Sequence, residues 1–302
     1  MNTATAKPIP VNTPSYRENN RAKASFDDAY AAPTPHQYLS KMGSLDYCMA
    51  KQMHPFLCAA IDSMVQDASP ARVLDVGCSY GMSAALLKTN CEFSDLIEFY
   101  EEEASQNLSE CVKETREFLQ KNRSARQDVK VVGLDQSEPA VRFGEVTQLL
   151  DGGIARNLEA PGAALTTRER DLVASCNVMF SAGTIGYVSD RTVGALLDTM
   201  IDKNSANNSP IAVMSILQLF DPATVGQTFD AHGLEFVQLP VQVAQRRFAD
   251  EVERDKVVET LEQRGVDYDP ATDWMFADVC VAARPHQIDK LVDITMQAAN
   301  GT

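Results

Sequence analysis

Residues 72 to 88, Arg-Val-Leu-Asp-Val-Gly-Cys-Ser-Tyr-Gly-Met-Ser-Ala-Ala-Leu-Leu-Lys, constrain the fold more than any other stretch of this chain. A short aliphatic run carries an acid, Asp75, then breaks into a glycine-bearing turn that opens a helix. Gly77 and Gly81 have no Cβ, so the backbone there can take positive φ and come close to a ligand. The helix expected from about Gly81 to Lys88 aims its free N-terminal amides at the same place, which suits a carboxylate or a phosphate. Strand, tight turn and helix in that order point to an α/β sheet.

The spacing decides which ligand. A dinucleotide fingerprint needs glycine at all three positions of Gly-x-Gly-x-x-Gly. Counted from Gly77, those positions hold Gly77, Ser79 and Met82. Asp75 also puts a negative charge just before the turn where a pyrophosphate would lie. An acid beside helix amides suits a zwitterion, with its ammonium on the carboxylate and its carboxylate on the amides. The competing reading is a plain strand-to-helix turn of an α/β protein with no ligand there.

The segment resembles the first motif of class I S-adenosylmethionine-dependent methyltransferases, with Ser79 in place of the middle glycine of Gly-x-Gly-x-Gly. The resemblance implies a Rossmann-like sheet, mostly parallel with an antiparallel closing strand, preceded by an N-terminal helical and aromatic cap. It also implies S-adenosylmethionine as cofactor, held by Asp75, Gly77, Cys78, Ser79, Tyr80 and Gly81. The acid closing the second strand of that family bonds the ribose hydroxyls. By position this is Asp135, with Gln136 beside it, at the end of Val129-Lys130-Val131-Val132-Gly133-Leu134-Asp135. Asp135 could instead cap the turn before Gln136-Ser137-Glu138-Pro139.

Composition excludes other classes. With 42 acidic and 27 basic residues the net charge is −15, and no basic stripe is present to neutralise phosphates, so a small molecule is expected rather than nucleic acid. The only adjacent basic pair, Arg246 and Arg247, reads as a solvated or salt-bridged edge. Seven cysteines are scattered without Cys-x-x-Cys or Cys/His spacing, so neither zinc nor any other metal is expected, and reduced thiols of a cytoplasmic protein are. No apolar run reaches the length of a membrane span and the first residues lack a secretion signal. The oligomeric state is left open.

Along the chain, residues 1–25 are polar and proline-bearing and are expected to be a flexible segment that does not form a core alone. Residues 26–70 read as a helical cap or lid and 71–302 as the catalytic domain, with a helical insertion at about 92–124. The cap carries Phe26, Tyr30, Tyr38, Tyr47 and Phe56. These rings either anchor the cap or, with Tyr30 and Tyr38 foremost, face a sulfonium by cation–π attraction. An amphipathic helix is expected over 51–67. A single long helix is expected from Leu96 to Leu119, N-capped by Ser94. Another helix begins near residue 140, followed by a loop with Gly152-Gly153. The strand at 177–181 runs into Ala182-Gly183-Thr184-Ile185-Gly186-Tyr187. Ligands bind outside the carboxyl ends of such strands, so Ser181 and Tyr187, with Tyr30 of the cap, are candidate catalytic residues. Tyr187 could equally pack the helix that follows. Of the isolated histidines, His36 is the best candidate base or else a packing residue. Strands at 210–218, 234–239 and 276–283 end the chain, with a charged helix at about 250–264 between the last two.

The wider pattern, Phe26-Asp27-Asp28-Ala29-Tyr30, Tyr38 to Tyr47 and Gln245-Arg246-Arg247-Phe248, resembles a bacterial subgroup found in specialised metabolism. That subgroup holds ordinary methyltransferases and enzymes that cyclise S-adenosylmethionine into azetidine-2-carboxylate, releasing methylthioadenosine. The resemblance therefore implies a small-molecule methyltransferase, with cyclisation as the alternative and cofactor binding without turnover as a third reading. A methyltransferase keeps a cavity for an acceptor beyond the sulfur, whereas a cyclase fills it.

Overall fold

A computed structural model describes residues 20, 22–24, 27–66, 71–126, 129–201, 209–269 and 271–300. The expectation of a flexible start falls mostly on residues 1–19, outside the described residues. Three helices lead in: α1 (Asp27–Tyr30), α2 (His36–Gly43) and α3 (Met49–Gln66). Then β1 (Arg72–Val76) turns into α4 (Met82–Lys88), followed by α5 (Phe93–Glu98) and α6 (Leu108–Lys121). The alternation continues through β2 (Lys130–Asp135), α7 (Glu138–Thr147), β3 (Gly152–Ala155), α8 (Thr167–Ala174), β4 (Val178–Ile185), α9 (Asp190–Met200), β5 (Ile211–Leu217) and α10 (Pro222–Ala231). It closes with β6 (Glu235–Arg247), α11 (Glu251–Gln263), β7 (Trp274–Ala283) and α12 (Ile288–Asn300).

The strands form one seven-stranded sheet in the order β3-β2-β1-β4-β5-β7-β6. β1 pairs in parallel with β2 and β4, while β7 runs antiparallel to both β5 and β6. This is the expected Rossmann-like α/β sheet with one antiparallel closing strand. The order reverses beside β1, between β1 and β4, so the crevice for a ligand lies outside the carboxyl ends of those two strands. Central strands buried on both faces read as continuous apolar runs, as Ile211–Leu217 does.

Several expectations are corrected. The long helix at 96–119 is two helices joined by a π-turn at Phe99–Glu103, with Ala104 extended. Glu92 rather than Ser94 begins the first, in a reciprocal capping box with Asp95. Asn107 caps the second by accepting from the amides of Ser109 and Glu110. The helical periodicity ran on across the join because Phe99 and Tyr100 remain buried on the same side. The Gly152-Gly153 loop is instead strand β3. There a Cβ on Gly153 would lie 2.5 Å from Val141 Cγ1 and one on Gly152 would lie 2.9 Å from Leu172 Cδ2. These glycines let helices α7 and α8 lie close on the sheet, a packing demand that resembles a turn signal in sequence. Helices α8, α10 and α12 and the length of β6 also went unread.

Two cores result. The larger one surrounds the sheet and includes the α3 face of Met49, Met53, Phe56, Leu57, Ala60 and Ile61. The second joins the cap to the insertion through Tyr38, Leu39, Met42, Tyr80, Phe99, Tyr100 and Phe143. The inserted helices thus pack outside the sheet and leave β2 directly beside β1, which puts Asp135 back near the glycine turn.

Candidate functional site

The glycine turn is held by its own hydrogen bonds. Gly77 N–H donates to Leu134 O at 2.7 Å and Gly81 N–H to Cys78 O at 2.8 Å. Ser79 N–H donates to Asp135 Oδ2 at 2.9 Å, while Ser137 N–H donates to Asp135 Oδ1 at 2.9 Å. Several turn amides expected to cradle a ligand are therefore spent on closing the turn. The first bond within α4 is Ala85 N–H to Gly81 O at 2.9 Å, so the amides ahead of it are the ones at the helix mouth. Ser79, which stands where the motif has its middle glycine, has φ +49° and needs the left-handed conformation that glycine supplies freely.

Asp75 is 1 % exposed and its Oδ2 has no hydrogen-bond partner. Burial, and then the neighbouring Asp135 carboxylate, push its carboxyl up to about 7, against a hydrogen bond from Ser83. Asp135 is likewise raised by burial, opposed by the amides of Ser137, Ser79 and Gln136. The two acids thus lie close together at the carboxyl ends of β1 and β2, each raised by burial. Ser79 Oγ and Ser181 Oγ are also buried without a hydrogen bond of good geometry. Buried polar atoms are ordinarily paired, so these unpaired atoms on β1, in the turn after it and on the neighbouring β4 leave hydrogen-bonding capacity unused.

The cap covers this crevice with phenols. Tyr30 and Tyr38 have ring centroids 5.0 Å apart, and Tyr38 and Tyr80 5.7 Å apart. Burial raises the phenols of Tyr30, Tyr38 and Tyr47 above their usual range, and each lies close enough to the next to add to that rise. Asp135 acts on Tyr30 and Tyr38, and Asp75 on Tyr47, so the three rings stand over the two acids. The cap is fixed by Tyr80, whose hydroxyl donates to Ala32 O at 2.7 Å and Ala29 O at 3.1 Å. Ser137 Oγ–H donates to Tyr30 O at 2.5 Å.

Some sequence candidates sit elsewhere. Tyr80 is wholly buried in the second core, and Cys78 packs under Gly133 close to Asp135 and Asp75. Gln136 is exposed and accepts from Asn157 Nδ2 at 3.2 Å. His36 engages Thr34 Oγ1 at 3.0 Å and Ala104 O at 3.1 Å, and its ring stands edge-on to Tyr100. It fastens the cap to the insertion. Tyr187 is 52 % exposed, and instead of packing helix α9 it lies under the Lys23 ammonium at 3.8 Å.

Three residues near the site were not singled out from sequence. Asn20 donates through Nδ2 to Gly186 O. Ala24 N–H donates to Glu253 Oε1 at 2.6 Å, so Asn20 is tied past the end of β4 and Ala24 to α11. Glu253 also holds Arg246 at 2.6 and 2.8 Å. Arg246 is 4 % exposed, so half of the expected basic edge is a buried ion pair, while Arg247 stays outside with Asp46 and Asp273. Gln245, beside it, leaves Oε1 unpaired near Gly183. The only sequence signal for this group was the Gln245-Arg246-Arg247-Phe248 run. Glu253→Gln is expected to cost about 3–5 kcal/mol in urea unfolding, because it strands Arg246 in the interior.

Among the described residues, no group of three or more His, Cys, Asp or Glu side chains could hold a metal ion, and no helix is long and apolar enough to cross a membrane. No family model and no curated protein sequence matches the chain. Its fold is similar to solved structures of S-adenosylmethionine-dependent methyltransferases. One is the plantazolicin methyltransferase BpumL in complex with S-adenosylhomocysteine, at 10% identity over 89% of this chain and 97% of that one, TM-score 0.39. Another is a TehB-like methyltransferase from Corynebacterium glutamicum, at 12% identity over 74% and 86%, TM-score 0.35. A third is the magnesium protoporphyrin IX methyltransferase of Synechocystis, at 10% identity over 88% and 91%, TM-score 0.33.

Proposed function

We propose that this chain binds S-adenosylmethionine across the β1–α4 turn and transfers its methyl group to a small molecule. The observation that carries the reading is Asp75, a buried carboxylate with an unpaired oxygen at the switch point of the sheet. An ammonium placed on Asp75 Oδ2 would neutralise it and supply the donor it lacks. Asp135 accepts the amides of Ser79, Ser137 and Gln136, and the lone-pair capacity left on its carboxylate can accept from a ribose hydroxyl. The bound sulfonium would supply an activated carbon electrophile. The protein's part is then to position, to exclude water and to offer the ring faces of Tyr30, Tyr38 and Tyr47 to positive charge. Ser181, with its unpaired hydroxyl within β4, is the candidate polar contact to the acceptor.

One observation favours a second reading. The tyrosines pack against one another directly over the two acids, which supports a filled rather than an open space beyond the sulfur. In that reading the substrate's own unprotonated amine attacks its γ-carbon, the S–Cγ bond breaks, and methylthioadenosine leaves with the sulfur electron pair. Desolvation around Asp75 and the phenols favours the neutral amine.

The experiment is incubation of the pure protein with S-adenosylmethionine and no acceptor, with products identified by mass spectrometry. Methylthioadenosine with a cyclic imino acid establishes cyclisation and ends the methyltransferase reading. S-adenosylhomocysteine formed only on addition of an amine, hydroxyl or carbon acid establishes methyl transfer. Binding in calorimetry with no product under any condition leaves a binding protein. Asp135→Ala is expected to weaken S-adenosylhomocysteine binding by about 1–3 kcal/mol in calorimetry. Unchanged affinity would remove Asp135 from the site.

A further inference from the structure

Lys23 stands beside the residues that follow β4. Its Nζ lies 3.8 Å from the Tyr187 ring centroid and 5.2 Å from that of Phe220. Tyr187 follows β4 and Phe220 follows β5, so the amine sits over the carboxyl ends of those two strands. No ion pair among the described residues includes Lys23. Its acidic neighbour Glu253 is already engaged by Arg246 and by the amides of Ala24 and Ala249. In a chain with 42 acidic and 27 basic residues, a half-buried ammonium that meets ring faces and no ion-pair partner among the described residues is placed against the composition. Burial, then the Arg246 charge, lower its pKa to about 7, while Glu253 acts weakly the other way. Such an amine is short of an anion.

We propose that Lys23 is the cation of a carboxylate-binding subsite on the acceptor side of the crevice, taking one anionic group of the small molecule on which the protein acts. Tyr187 and Phe220 lie against the body of that molecule. A carboxylate fits better than a phosphate, because a single ammonium matches a single charge and Arg246 is already neutralised by Glu253.

The probes are benzoate and benzamide, similar in shape and different in charge, titrated into the full chain without cofactor and followed by ligand-observed NMR. Benzoate is expected to bind at least about tenfold more tightly than benzamide near neutral pH. Lys23→Met removes that preference and Lys23→Arg keeps it. Facing Lys23 are Arg246 on β6, Glu253 on α11 and the phenol of Tyr187. Glu253 is held below its usual range by Arg246 and the two amides in spite of its burial, so it stays ionised throughout. Benzoate affinity in the wild type therefore falls about tenfold per pH unit above about 7, as Lys23 loses its proton. Equal binding of the two probes, or a preference that survives in folded Lys23→Met, overturns the proposal. Neither probe requires S-adenosylmethionine, so failure here leaves the Asp75 reading standing, and failure of that reading leaves this one testable.

Discussion

Gly77→Ala is expected to destabilise the fold by about 2–5 kcal/mol and to abolish ligand binding at the turn. Gly77 has φ +80°, where a side chain is strained whatever the space around it. A Cβ there would also lie 2.0 Å from Thr184 Oγ1, 2.5 Å from its Cγ2 and 2.6 Å from its Cβ. Thr184 belongs to β4, and the bond from Gly77 N–H to Leu134 O ties the same residue to β2. The clash would thus part the strands that frame the crevice. Urea unfolding of the single variant and of Gly77→Ala with Thr184→Gly separates the two contributions. The double variant should recover the steric part and retain the cost of the positive φ, of about 1–2 kcal/mol. No recovery would show that the turn, and not its neighbour on β4, sets the demand for glycine.

Asp75→Asn is expected to do two opposite things. Without ligand the wild-type carboxyl is raised from the ordinary value of 3.8 to about 7, so the folded chain holds its proton where the unfolded chain has released it. Below about pH 4 both states are protonated and Asp75 costs nothing. Between about pH 4 and 7 the unfolded state increasingly gains, and above about 7 the fold carries a penalty on the order of 4 kcal/mol as an upper limit. Wild-type stability should therefore fall as pH rises through this window. The asparagine variant, which has no charge to bury, should lack that slope and be the more stable protein at about pH 8. The same substitution should weaken S-adenosylhomocysteine binding about 100-fold, since a buried carboxylate-to-ammonium contact is lost. Urea unfolding at about pH 5 and about pH 8, with calorimetry on the same samples, tests both. A variant that loses stability and keeps its affinity would mean that Asp75 serves the fold and not a ligand.

These two residues were also the most legible in sequence, because a glycine turn after an acid-bearing apolar strand is a local pattern. Chain-local rules were enough for β1, α4, β2 and the central strands, where aliphatic runs and helical periodicity speak for themselves. Asp135 was found by its place at the end of β2. The structure adds that it closes the turn through the Ser79 amide, which spacing cannot reveal across the intervening insertion. Tyr80 looked like a ligand contact because it lies inside the motif, but its ring turns into the second core and its hydroxyl secures the cap.

What the linear chain determined by itself was the strand, glycine turn and helix of residues 72–88 and the acid that ends the next strand, since each depends on residues within a few positions of one another. Tertiary structure alone decided which polar atoms stay unpaired in the crevice, that β3 needs two glycines for the helices above it, and that Lys23, Arg246 and Glu253 meet from distant parts of the chain. Those outcomes depend on close packing and on desolvation between segments remote in sequence, and neither quantity exists until the chain has folded.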